Sequence, residues 1–244
     1  MDESGEMRVV YYPGCFNNYW APQNGKAVVR ILERNGFRVT VPKHRCCGIA
    51  RMAYGDTDGA RKAAARLVDE LFVLAEQDLD IVTDCPSCAL ALKEEYPFLL
   101  NSEKAGRVSE QTHFFSRFLN DLHQTGKLDT GFGELSLTVA YHSPCHLRAQ
   151  GLGDDSIKLM ALIPGLQVTD LSRGCCGMAG TAGFRHRYYE SAMGIGEALS
   201  ERVEEVDAQI LTTDCGGCKL QMEQMSDGEV LHPVVLIDKA YRTQ

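Results

Sequence analysis

No run of apolar residues in the chain approaches the roughly 18 to 20 needed to cross a bilayer, so no direct membrane span is expected. Nor is there a long Lys/Arg block; 25 Lys and Arg stand against 33 Asp and Glu, and a formal net charge of -8 argues against nucleic acid as a partner. The opening MDESGEM is acidic where a secretory signal is basic and then apolar, so the expectation is a cytoplasmic protein with reduced thiols. Glycine patterns of the dinucleotide-binding form are missing, and so is the ferredoxin run of four closely spaced cysteines. Ten cysteines in 244 residues are too few for a small disulfide scaffold, and a 44% hydrophobic content is enough for a core that needs no covalent staples.

The cysteines that are present form a pattern used twice. Cys15, Cys46, Cys47, Cys85 and Cys88 are followed by Cys145, Cys175, Cys176, Cys215 and Cys218, each 129 or 130 residues beyond its counterpart. All ten are used, and such matched spacing indicates internal duplication. The surrounding sequence repeats too: YYPGCFNNYW pairs with YHSPCHLRAQ, DIVTDCPSC with QILTTDCGGC, and Asn35-Gly36-Phe37 with Pro164-Gly165-Leu166. The expected organisation is a first cysteine-rich repeat over 1–122, a polar, glycine-containing linker over 123–136 and a second repeat over 137–244.

Hydrophobic periodicity alternates between strand and helix in each half. Strands are expected at 8–12, 37–41 and 80–83 with helices at 25–34 and 60–75, and again at 136–141, 167–171 and 209–212 with helices at 155–162 and 188–206. This alternation predicts an α/β fold of two pseudo-symmetric repeats, each a small parallel sheet flanked by helices. The cysteines follow the strands, and the loops beyond strand carboxyl ends are where parallel sheets build sites, so five sulfurs per half are expected to converge at one edge.

Adjacent cysteines make poor disulfides, because neighbouring Cα atoms sit about 3.8 Å apart, below the usual disulfide range. Zinc takes four tetrahedral ligands, which leaves a fifth cysteine per half surplus. Thioredoxin-like exchange explains Cys85-Pro-Ser-Cys88 and Cys215-Gly-Gly-Cys218 but leaves Cys15, Cys46 and Cys47 idle. Ordinary buried cysteines explain any one position but not two matched sets. An iron-sulfur cluster spreads several irons over several ångströms, so adjacent cysteines can serve different irons, and Gly48 and Gly177 let backbone N–H groups approach the sulfurs.

At these residues the chain resembles the cysteine-rich CCG domain proteins, which include the B subunit of heterodisulfide reductase and the carboxyl-terminal half of the C subunit of anaerobic glycerol-3-phosphate dehydrogenase. The likeness runs through both halves, and YHSPCH, CCGMAGTAGF, TTDCGGCKLQM and HPVVLI look most like the latter. The resemblance implies two noncubane 4Fe-4S clusters, one held by Cys15, Cys46, Cys47, Cys85 and Cys88 and the other by Cys145, Cys175, Cys176, Cys215 and Cys218. It implies an electron-transfer subunit of an oxidoreductase complex, working between a flavoprotein or ferredoxin-like iron-sulfur subunit and an acceptor such as quinone, peripheral at the cytoplasmic membrane through a partner. Direct reduction of a disulfide at the clusters is the alternative, and a zinc-binding structural module a third reading. The dehydrogenase subunit also carries amino-terminal ferredoxin motifs that are missing here, so electrons are expected from a separate subunit or the sequence is a fragment.

Other residues carry less. Asp84 and Asp214 are expected to cap the helices that follow them, and His142 and His146 to be solvated or core histidines rather than ligands. Arg45, Arg51, Arg173 and Arg185 are placed to offset negative charge near the Cys-Cys loops, with solvated surface charge an equal alternative. The stretches 108–122 and 230–241 have apolar residues at helical spacing and read as structural helices.

Overall fold

A computed structural model describes residues 7–43, 45–171 and 174–243 of the protein. The chain divides into two compact units between Asp129 and Thr130. Each is built on a four-stranded, wholly parallel sheet.

In the first unit the strands are β1 (Met7–Tyr11), β2 (Phe37–Thr40), β3 (Asp80–Thr83) and β4 (Thr112–Phe114), in the spatial order β2-β1-β3-β4. Val9 pairs with Val39 on one side and Asp80 on the other. The helix Pro22–Arg34 connects β1 to β2; Pro22 in its first turn pre-sets a helical φ, and Ala27, Val28, Ile31 and Leu32 form its buried face. Thr57–Ala75 connects β2 to β3, opened by Asp56, whose carboxylate accepts from the Gly59 N–H at 2.9 Å. Ala64, Leu67, Val68 and Leu71 of this helix pack with Val10, Tyr12, Ile81, Cys47 and Cys88, so two of the cysteines belong to the core.

The second unit repeats the design with β5 (Leu137–Tyr141), β6 (Leu166–Asp170), β7 (Ile210–Thr212) and β8 (Val230–Leu231) in the order β6-β5-β7-β8. Tyr189–Glu205 is its long crossover helix. Its core joins Ala140, Leu199, Leu211, Met222 and Val230 to Cys176 and Cys218.

Two expectations need correction. The stretch 108–122 is not one helix: Glu103–Gln111 ends, Thr112–Phe114 pairs with β3, and Phe115–Gln124 begins a new helix. Its counterpart 230–241 likewise opens as β8 before the helix Pro233–Arg242. Each sheet therefore gains a fourth strand too short to show a period of its own. The division between the units falls within 123–136, where the helix Phe115–Gln124 ends and Leu128, Phe132 and Leu135 are buried, Phe132 against Tyr241 at 4.5 Å.

One irregularity bears on the site. The chain after β3 passes through a π-helical turn at Ala91–Glu95 before the helix Tyr96–Leu100. Pro97 has no N–H to give the Lys93 carbonyl, and the Ser109 hydroxyl supplies the missing donor at 2.6 Å. The wider turn leads into Tyr96, whose hydroxyl donates to the carbonyl of Cys47.

Candidate metal centre

Because every strand is parallel, the loops leaving β1, β2 and β3 emerge at one edge, as do those leaving β5, β6 and β7. Cys15 sits in the short helix Gly14–Tyr19 directly after β1, Cys46 and Cys47 in the loop after β2, and Cys85 and Cys88 at the start of the helix Pro86–Leu90 after β3. Cys145, the Cys175-Cys176 pair, Cys215 and Cys218 occupy the matching places.

The five thiols of each unit lie within electrostatic reach of one another. Cys88 Sγ is 3.6 Å from Cys47 Sγ. Gly14, at φ +65°, lets the backbone before Cys15 approach Cys88, since a Cβ there would stand 2.9 Å from that sulfur. Hydrogen bonding with Cys46, then burial in the case of Cys15, pushes Cys15 and Cys47 upward, and Cys88 is raised by its bonds to Cys47 and Cys85. In the second unit Cys218 is raised by its bonds to Cys176 and Cys215, while those bonds lower Cys215 and hold Cys176 down to about 4 with help from His142. Burial and the charges of Cys175, Cys215 and Cys176 raise Cys145. Thiols this close shift one another's titration, so the sulfurs of each unit act as a set rather than as independent groups.

The Cys-Cys-Gly turns place neighbouring sulfurs in unlike surroundings. Cys46 is exposed and Cys47 buried; Cys175 is half-buried and Cys176 buried. The N–H of Gly48 donates to Cys46 Sγ and that of Gly177 to Cys175 Sγ, each at 3.4 Å, as the glycines' placement predicts. Both glycines are left-handed, at φ +76° and +88°.

The aspartates have a different role from the one expected. The cap positions are Cys85 and Cys215, and neither makes a side-chain cap bond. Asp84 is fully buried and accepts from the Tyr11 hydroxyl at 2.9 Å and from Asn17 at 2.6 Å; Asp214 accepts from Tyr141 at 2.6 Å and Ser156 at 2.8 Å. These bonds tie the end of each central strand to the loop carrying the Cys-x-x-Cys pair. Burial raises the Asp214 carboxyl above the usual carboxylate range.

His142 is a core histidine, 1% exposed, but it also reaches the site: its ring and the sulfurs of Cys176 and Cys218 have ligand atoms all within 4.8 Å of one another. Its Nδ1 has no hydrogen-bond partner, nor has the Thr213 hydroxyl two residues before Cys215. A buried polar atom left unpaired costs about 1–3 kcal/mol, so the His142 ring keeps hydrogen-bonding capacity close to the two sulfurs. His146 is half-buried, and burial lowers its pKa. Arg45 and Arg51 are spent on Glu70 and Asp56, both at 2.6 Å, Arg185 follows the second Cys-Cys loop, and Arg173 lies outside the described residues.

The donor set fits an iron-sulfur group better than a single ion. Five thiols per unit exceed four tetrahedral positions, adjacent cysteines suit separate metal atoms, and peptide N–H groups already face sulfur. Beside the thiols the surface is aromatic: Tyr19 and Trp20, four and five residues past Cys15, are 72% and 67% exposed. The ten cysteines stand out in the sequence by their spacing, whereas the approach of His142 to Cys176 does not, its one signal being the replacement of Tyr12 by His142 in the repeat.

Among the described residues, no helix is long and apolar enough to cross a membrane. The family model for the CCG cysteine-rich domain matches twice, over residues 9–93 and 139–223. The C subunit of anaerobic glycerol-3-phosphate dehydrogenase from Escherichia coli K12 is 35% identical over 96% of this chain and 59% of its own length. The B subunit of fumarate reductase (CoM/CoB) from Methanothermobacter marburgensis is 29% identical over 96% of this chain and 46% of its own. The chain thus spans about half the length of these two relatives. Lactate utilization protein A of Bacillus licheniformis is 32% identical over 86% of this chain and 88% of its own length. Two matched domain copies, with every motif cysteine in place, make this chain a member of the CCG cysteine-rich domain family.

Proposed function

We propose that the chain is an iron-sulfur electron-transfer subunit of an oxidoreductase complex. Cys15, Cys46, Cys47, Cys85 and Cys88 hold one noncubane 4Fe-4S cluster, and Cys145, Cys175, Cys176, Cys215 and Cys218 hold the other. The observation that carries this reading is the gathering of five thiols at one sheet edge in each unit, two of them adjacent and differently buried. When bound, such clusters supply one-electron redox chemistry. The chain's own residues bury Cys47, Cys88, Cys176 and Cys218 away from water, direct the N–H groups of Gly48 and Gly177 at sulfur, and leave Cys15 and Cys145 at the surface where electrons enter or leave.

The partners are a flavoprotein dehydrogenase subunit or a ferredoxin-like iron-sulfur subunit on the donor side and a quinone on the acceptor side, with the complex held peripherally at the cytoplasmic membrane. The relatives named as subunits of a dehydrogenase and a reductase support a multi-subunit setting. Exposed Tyr19 and Trp20 beside Cys15 offer an apolar contact for either neighbour. Anaerobic purification yields brown protein with about eight iron and eight acid-labile sulfide per chain, as two four-iron clusters require. Colourless, zinc-loaded protein would overturn the proposal.

The surface position of Cys15 and Cys145 also favours a second reading, direct reduction of a disulfide at the clusters. A disulfide taking two electrons and two protons gives two thiols, so turnover of a mixed disulfide with an artificial reductant on the cluster-loaded chain distinguishes catalysis from relay. Inactivity with intact clusters removes this reading.

A further inference from the structure

The two sites stand on the same frame, and one of the positions at which they differ lies beside the sulfurs. Directly after the last tyrosine of the first strand, the first unit has Tyr12 and the second His142. Tyr12 spends its only hydroxyl hydrogen on the carbonyl of Arg45 at 2.6 Å and has none left for a sulfur. His142, buried to the same degree, has its ring among Cys176 and Cys218, and its Nδ1 takes no protein partner. The other sulfur-directed donors match: Gly48 to Cys46 and Gly177 to Cys175 are both 3.4 Å. One difference between the sites is therefore an imidazole within 4.8 Å of two sulfurs in one and, in the other, a phenol whose hydrogen is taken by a carbonyl.

We propose that His142 is a positioning residue that donates an N–H hydrogen bond to the Cys176 sulfur and thereby makes the second site the better electron acceptor of the two. The inference rests on the reading that each thiol set holds an iron-sulfur cluster. Reduction adds negative charge that spreads onto the thiolate sulfurs, and a donor facing one of them stabilises the reduced form more than the oxidised form. The Gly48 and Gly177 donors match between the sites, so the imidazole adds to the second site a donor that Tyr12 does not supply to the first. The fold then holds an acceptor order between its two thiol sets that the repeat of the cysteines alone does not reveal.

The test is an anaerobic redox titration of the full cluster-loaded chain, followed by electron paramagnetic resonance, for wild type, His142→Phe and His142→Gln. Wild type should show two potentials. In His142→Phe the higher one should fall by about tenfold in the reduction equilibrium, about 59 mV for a one-electron couple, while the lower stays in place. His142→Gln keeps an N–H donor and should recover most of the shift. Pulsed resonance on wild type labelled with ¹⁵N-histidine should show a weak nitrogen coupling on the more easily reduced cluster, a measurement that holds even if His142→Phe loses iron. Iron-replete His142→Phe with both potentials unmoved would overturn the proposal alone, as would the absence of that coupling or one strong enough for direct iron ligation. Wild-type protein without iron would instead overturn the parent reading and take this one with it.

Discussion

Tyr11 and Tyr141 each end a central strand with a buried phenol, and each gives its hydrogen to an aspartate in the loop that leads into the Cys-x-x-Cys pair. A hydrogen bond of this kind, buried and with a carboxyl acceptor, holds the loop against the strand 73 residues away. Tyr11→Phe and Tyr141→Phe should each lower stability by roughly 1–3 kcal/mol in denaturant unfolding, since an acceptor loses its donor without gaining water. Adding Asp214→Asn to Tyr141→Phe should cost less than the sum of the two single changes; strict additivity would show that the pair does not act as a unit. An aspartate before a helix ordinarily reads as a cap, and nothing local in TTDCGGC says that this one turns inward. Its partner is a strand residue far away in sequence, and only tertiary pairing exposes it. The cysteines were legible for the opposite reason: two complete sets at matched spacing make a signal that needs no distance information.

At the scale of elements, the Cys-Cys-Gly turn is held by close packing behind it. A Cβ on Gly177 would stand 1.9 Å from the Ala192 carbonyl oxygen, in the backbone of the helix Tyr189–Glu205, whereas on Gly48 the nearest obstacle is the Ala63 methyl at 2.9 Å. Backbone cannot yield as a methyl can, and the left-handed φ adds about 1–2 kcal/mol in either case. Gly177→Ala should therefore destabilise the second unit well beyond the effect of Gly48→Ala on the first, read as denaturant midpoint and as proteolytic cleavage around residues 174–184. Equal effects would mean that φ alone decides. The glycines' service to sulfur was readable from their place after the cysteines; the helix pressed against Gly177 was not, because small residues such as Ala192 and Gly196 mark close approach only once the helix is docked. β4 and β8 escaped for a related reason. At three and two residues they are too short to alternate, and each joins its sheet because the preceding strands offer an open edge.

For the molecule as a whole, duplication has produced two units that each own a sheet, a core and a thiol set. Under the proposed function, Cys47→Ser and Cys176→Ser should each cost about half the iron, some four of eight atoms per chain, and each should erase one of two resonance signals while sparing the other. Loss of all iron from either single variant would show that the sets depend on one another. The cores bear on what the metal does for folding. Val9, Val10, Ile31, Leu67, Leu71 and Ile81 in one unit, and Val139, Leu159, Leu199, Leu236 and Ile237 in the other, are at most 1% exposed and lie on strands and helices rather than in the cysteine loops. Chelation should thus leave far-ultraviolet circular dichroism and a cooperative unfolding transition largely in place, while the loops around Cys46 and Cys175 become open to protease. Small domains folded by their metal behave otherwise and lose the transition together with the ion. If stripping the metal abolished the transition here, the thiol sets would be holding the fold together in addition to any redox role, and the cores would not suffice on their own.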